Sequence, residues 1–229
     1  MSEDMLSKVL VRELPGLMRD FMKKVLGENG QEWIEAFKRF LKKQNPWPET
    51  SSKPAKKRLA VLQPLETITE FPKTDIFRAI DHLRITPDNE RATAELVIGF
   101  LSDNVRNNFL SNGGKIEENL AESKLRAYKL KKDSVDGLII AELGGEEAAE
   151  TTVAEMVALM RRQGRGQQGI LLTNGYANIF YIRDAKGVLL AVYCCWLSDY
   201  GRWYVVANPI KDPGAWRAGD RVFSRDSGS

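Results

Sequence analysis

Residues 187 to 197, GVLLAVYCCWL, constrain the fold of this 229-residue chain more than any other stretch. Read as a strand, they put Val188, Leu190, Val192, Cys194 and Trp196 on one side and Leu189, Ala191, Tyr193, Cys195 and Leu197 on the other, since successive side chains alternate. A strand apolar on both faces has to be covered on both. The flanking segments ILL (170–172), ANIFYIRD (177–184) and RWYVVANPI (202–210) are separated by turn residues, so a meander of four antiparallel strands is expected. A fifth strand is expected at RVF (221–223).

Residues 146–163, EEAAETTVAEMVALMRRQ, read as the helix that packs on this sheet. Ala149, Val153, Met156, Val157 and Met160 form its stripe, its first turn is acidic and its last basic, as the helix dipole favours. Before it stands GLIIAEL (137–143), expected as a buried strand that turns sharply at Gly144-Gly145. The motif LIIAELGGEE invites a phosphate-binding reading. It lacks the lysine of a P-loop and the glycine spacing of a dinucleotide fold, and Glu146 and Glu147 would repel an anion.

Further strands are expected at 59–62, 65–71 and 125–130, and a short helix at 74–83. Residues 92–110 read as a strand ending in GFL followed by a helix capped by Ser102-Asp103, with one long helix as the rival.

The N-terminal region differs in kind. Apolar residues at helical spacing over 5–26 and 31–43 predict two amphipathic helices, divided near Gly27 and Gly30, with Pro15-Gly16 kinking the first. Residues 44–58, QNPWPETSSKPAKKR, read as a linker rich in proline and lysine. Residues 1–60 hold thirteen Lys/Arg against eight Asp/Glu, so the chain's net charge of +3 arises there. No unbroken apolar run suggests a leader or a membrane span. The adjacent Cys194 and Cys195 point to opposite faces of a strand and cannot pair without distortion, which fits a reducing, cytoplasmic setting.

Chemistry is scarce. One histidine, His82, and one vicinal cysteine pair give no metal-ligand spacing and no triad. The cysteines sit where buried thiols act as small hydrophobes. No catalytic residue, metal ligand or cofactor site is assigned, and the balance tips away from an enzyme.

Two binding readings remain. The stripe containing Trp33, Phe37, Phe40 and Leu41 offers protein contacts or self-association. The alternative is nucleic-acid binding through Lys56, Lys57 and Arg58 of the linker and Arg161, Arg162 and Arg165 of the loop at 161–169, with Tyr181, Tyr193, Trp203 and Tyr204 as stacking faces.

The strings LAESKLRAYKLKKDSVDGLIIAELGGEEAAETTVAEMVALM, GQQGILLTNGYANIFYIRDAKGVLLAVYCCW, GENGQEWIEAFKRFLKKQNPW and the closing W-x-x-G-D-R-V-F-S-R-D resemble a group of uncharacterised bacterial proteins. The resemblance implies a bacterial cytoplasmic setting and no particular activity.

The expectation is therefore an α+β protein: a helical arm (1–43), a linker (44–58) and a mixed domain (59–229) whose antiparallel C-terminal meander packs on the 146–163 helix. Its expected role is non-enzymatic binding or assembly.

Overall fold

A computed structural model describes residues 18–27, 30–42 and 60–226. The chain divides into two units, residues 1–58 and 59–229.

In the first unit, helix α1 (18–25) is followed by α2 (Gly30–Leu41). Phe21 of α1 and Phe37 of α2 pack as tilted rings with centroids 4.7 Å apart, and Lys24 lies 5.6 Å above the Trp33 ring. The turn is tight at Gly30, where a Cβ would stand 1.9 Å from the Val25 carbonyl oxygen, so only glycine fits. The expected continuation of the first helix over 5–17 and the 44–58 linker lie outside the described residues.

In the second unit the elements follow one another as β1 (Leu62–Phe71), β2 (Thr74–Arg78), α3 (Ala79–His82), β3 (Ile98–Leu101), α4 (Asp103–Val105), β4 (Ile116–Leu120) and β5 (Ser123–Leu130). Then come α5 (Asp136–Leu143), α6 (Glu146–Ala149), β6 (Glu150–Thr151), α7 (Val153–Arg162), β7 (Asn178–Arg183), β8 (Leu189–Leu197), β9 (Arg202–Pro209) and β10 (Arg221–Arg225). The main sheet runs β1-β5-β10-β7-β8-β9-β3, with β6 also paired to β7. Strands β2 and β4 form a separate antiparallel pair. This is an α+β fold.

The meander β7-β8-β9 is antiparallel as expected. The sheet as a whole is mixed, because β10 pairs parallel with β7 and β3 parallel with β9. Residues 170–172 are not a strand; they continue the loop after α7. The segments 59–62 and 65–71 merge into β1, whose register shifts between Pro64 and Ile68. The expected helix at 74–83 is instead strand β2 followed by the single turn α3. The 92–110 segment resolves as a strand and a capped helix: Ser102 Oγ accepts from Val105 N, and α4 runs on into a π-helical turn at Arg106–Leu110.

The largest correction concerns the region around Gly144-Gly145. GLIIAEL is helix α5, and Gly144, at φ +102°, ends it with its N–H on the Ala141 and Ile140 carbonyls. The glycines thus terminate a helix rather than turn a strand. The 146–163 segment also breaks: α6 stops at Ala149, Glu150-Thr151 bridge β7, and α7 starts afresh at Val153.

The new start is strongly fixed. Thr152 Oγ1 accepts from Glu155 N while Glu155 Oε2 accepts from Thr152 N, a reciprocal capping box. Glu117, reaching over from β4, takes the N–H groups of Val153 and Ala154 at 2.9 Å each.

Both faces of β8 are engaged. On one side, α7 packs Met156, Val157 and Met160 into a core with Val192, Cys194, Trp196, Trp203 and Phe223. On the other, Ile139 and Ile140 of α5 meet Leu130, Ile179, Tyr181 and Val222. That second cluster extends along β8 through Leu189 and Ala191 to the half-buried Tyr193 and stops there.

Candidate binding surfaces

The carboxylates in this unit that look most reactive are occupied with structural work. Asp136, at the start of α5, accepts 2.8 Å and 2.7 Å hydrogen bonds from Tyr181 Oη and Trp216 Nε1. Asp220 accepts from the backbone of Ala177 and Arg217. Glu142 holds the N–H groups of Val61 and Leu62 at the head of β1. Burial raises the pKa of Asp136, Asp220 and Glu117 against the opposing pull of these hydrogen bonds.

Glu146 and Glu150 both pair with Arg183. The helix start that suggested a phosphate site is thereby committed to an ion-pair triad with β7.

His82 accepts from Arg161 at 2.8 Å through Nδ1 and stacks on Phe77. Burial and the Arg161 charge lower its pKa, favouring the neutral ring. Cys194 is buried, and burial drives its thiol pKa well up; Cys195 is half-buried and shifted the same way by burial. Neither is a ready thiolate. Among the described residues, no group of three or more His, Cys, Asp or Glu side chains converges as a metal site would require. No described helix is long and apolar enough to cross a membrane.

The arginines that suggested nucleic-acid binding are each engaged within the chain. Arg161 meets His82. Arg162 donates to the Glu70 carbonyl at 3.3 Å and lies 5.4 Å over the Phe71 ring. Arg165 donates to the backbone carbonyls of Arg91, Ala92 and Ala94. Their loop is bound to the core as well. Gln163 brackets Leu171 through both backbone groups, and Gly166 lies flat on Trp196. Lys56, Lys57 and Arg58 lie outside the described residues.

Of the four aromatics expected as stacking faces, Tyr181 and Trp203 are fully buried and therefore cannot meet a ligand. Their rings fill the two cores on either side of the sheet. Tyr193 and Tyr204 are half-buried.

Those two belong to the aromatic sheet that the sequence offers for protein contacts, on a surface whose further rings, Phe100 and Tyr200, the sequence did not single out. Beyond the reach of the α5 cluster, the half of the sheet formed by β8, β9 and β3 carries Cys195, Leu197, Tyr204 and Val206, all partly accessible. Phe100 of β3 is 41% exposed and Tyr200 of the β8–β9 turn 61%. The rings form a row, Phe100 5.4 Å from Tyr204 and Tyr204 6.3 Å from Tyr200. At the inner margin Trp216 packs edge-on against Tyr193. A cleft of about 450 Å³ opens there between the turn at 174–177 and the loop at 215–220.

β3 is the edge strand, but its backbone is partly closed. Thr86 donates its N–H to Ile98 O and its hydroxyl accepts from Ile98 N. Side chains, rather than free strand pairing, are what this edge presents.

In the first unit, Phe40 and Leu41 are 62% and 65% exposed, while Phe37 is partly covered by Phe21 and Trp33 by Lys24. The contact stripe expected from the sequence therefore divides. Its first half holds the helix pair together and its second half faces outward.

Compared with known proteins, the chain matches no family model, no curated protein and no solved structure.

Proposed function

We propose that this chain is a non-enzymatic binding or assembly protein, acting in the cytoplasm by docking another polypeptide, a second copy of itself in the first instance. The observation that carries the reading is the row of Phe100, Tyr204 and Tyr200 beside Leu197 and Val206. Aromatic and aliphatic side chains left accessible together on a rigid sheet lose little entropy on docking, which suits protein contacts. The outward residues Phe40 and Leu41 of α2 offer a second such surface. The free, unpaired cysteines agree with a reducing compartment.

Light scattering on the full-length protein tests this. The wild type should exceed the monomer mass at micromolar concentration, and the double variant Phe100→Glu/Tyr200→Glu should fall to monomer with an unchanged circular dichroism spectrum. A wild type that stays monomeric at every concentration, and that cross-links to the same proteins as the variant, would overturn the reading.

A further inference from the structure

Arg221, the first residue of β10, stands directly opposite Lys129 of β5 in an antiparallel pair. Like charges in that position repel. Neither forms an ion pair among the described residues.

Arg221 is also half-buried. One guanidinium nitrogen donates to the Ile170 carbonyl, but Nε is enclosed without any acceptor. Burial lowers its pKa.

The two cations line a cleft of about 300 Å³ together with Leu172, Asn174, Tyr176 and Gly219. Its wall is closely fitted. Gly219 has φ +101°, and a Cβ there would stand 3.0 Å from Tyr176 Cε1, so the ring is seated where only glycine leaves room. Asn174 and Tyr176 add neutral hydrogen-bonding groups to the charged pair.

We propose that this cleft binds the phosphate group of a small phosphorylated ligand, held by Arg221 and Lys129 with Asn174 and Tyr176 as neutral donors. Two cations match a phosphate monoester, which carries close to two negative charges at neutral pH, better than they match a carboxylate. The cleft has room beyond the phosphate for a small group against the Tyr176 ring. A nucleic-acid backbone is less well served, since the arginines at 161, 162 and 165 that could extend a basic track are spent on His82, Glu70 and the 91–94 carbonyls. The inference is independent of the docking surface.

Calorimetric titration of the full-length protein with inorganic phosphate and with phenyl phosphate, at fixed ionic strength, decides it. Both should bind saturably at one site, phenyl phosphate more tightly. Lys129 is exposed, so Lys129→Gln should fold normally and weaken binding about tenfold, the loss of one charged hydrogen bond. Arg221→Gln should abolish binding, and the exposed Lys131→Gln should leave it unchanged. The proposal fails if neither phosphate gives saturable heat, or if Lys129→Gln binds as the wild type does. It also fails if oligonucleotides with and without a 5′-phosphate bind equally well and inorganic phosphate does not compete.

Discussion

The Tyr181 hydroxyl donates a 2.8 Å hydrogen bond to the Asp136 carboxylate, tying the middle of β7 to the first turn of α5 inside the second core. Trp216 Nε1 donates to the same oxygen atom at 2.7 Å and brings in the loop before β10. One carboxylate therefore fixes a helix, a strand and a loop that are far apart in the chain.

The pH response of this junction has a definite sign. Desolvation raises the Asp136 pKa above its ordinary value of 3.8, outweighing the hydrogen bonds from Trp216 and Tyr181. The folded state then binds the proton more tightly than the unfolded one. Its contribution is fully present below pH 3.8 and is lost as pH rises through the raised folded value. Asp136→Asn lacks that titration. Urea midpoints at pH 4, 5.5 and 7 should show the wild type losing ground to Asp136→Asn as pH rises; a change in the opposite direction would refute the assignment.

Gly166 is the tightest point of the loop after α7. Its φ is +72°, and a Cβ would stand 2.1 Å from Trp196 Cε2. Gly166→Ala should cost about 2–4 kcal/mol, combining left-handed strain with overpacking of the indole. Guanidinium unfolding measures this, and a loss below half of that would mean that the loop moves freely off Trp196.

Glu117→Ala leaves the Val153 and Ala154 N–H groups without their acceptor at a buried helix start. A loss of about 2–3 kcal/mol is expected. Hydrogen exchange of those two amides should speed up in parallel. Unchanged protection there would show that another group caps α7.

Among the described residues Phe40 and Leu41 lie outside any buried cluster, Phe40 stacking on the neighbouring Phe37 with ring centroids 6.5 Å apart. Phe40→Ser and Leu41→Ser should each change stability by no more than about 0.5 kcal/mol. Sedimentation should nevertheless show weaker association if α2 contributes to docking. A large loss of helix signal instead would assign these residues a folding role.

Much of this architecture is legible in local chemistry. The two-sided apolar pattern of 187–197 requires an interior strand, and Asp184-Ala185-Lys186-Gly187 and Ser198-Asp199-Tyr200-Gly201 turn the chain on either side of it. Ser102 before Asp103 caps a helix as its short polar side chain dictates. The T-x-x-E of Thr152 and Glu155 is equally local, and it was the available signal that α7 starts at Val153 rather than at Glu146.

Other features have no local signature. GLIIAEL is apolar but for Glu142 and too short to show a period, so periodicity cannot distinguish a short buried helix from a strand. What decides for helix is the Asp136 carboxylate meeting Tyr181 and Trp216, together with Gly144 closing the last turn. The candidate surfaces are of the same kind. Arg221 faces Lys129 only because β10 inserts between β5 and β7.

The sequence by itself determined which segments must be interior, where the chain turns and that both faces of the central strand need cover, because these follow from each residue's polarity and backbone preference. Only the tertiary structure decided how much cover arrives. The eight residues of α5 extend about 12 Å, whereas seven neighbouring strands span about 29 Å. A helix that short cannot shield the whole face, and so Phe100, Tyr204 and Tyr200 remain open to a partner.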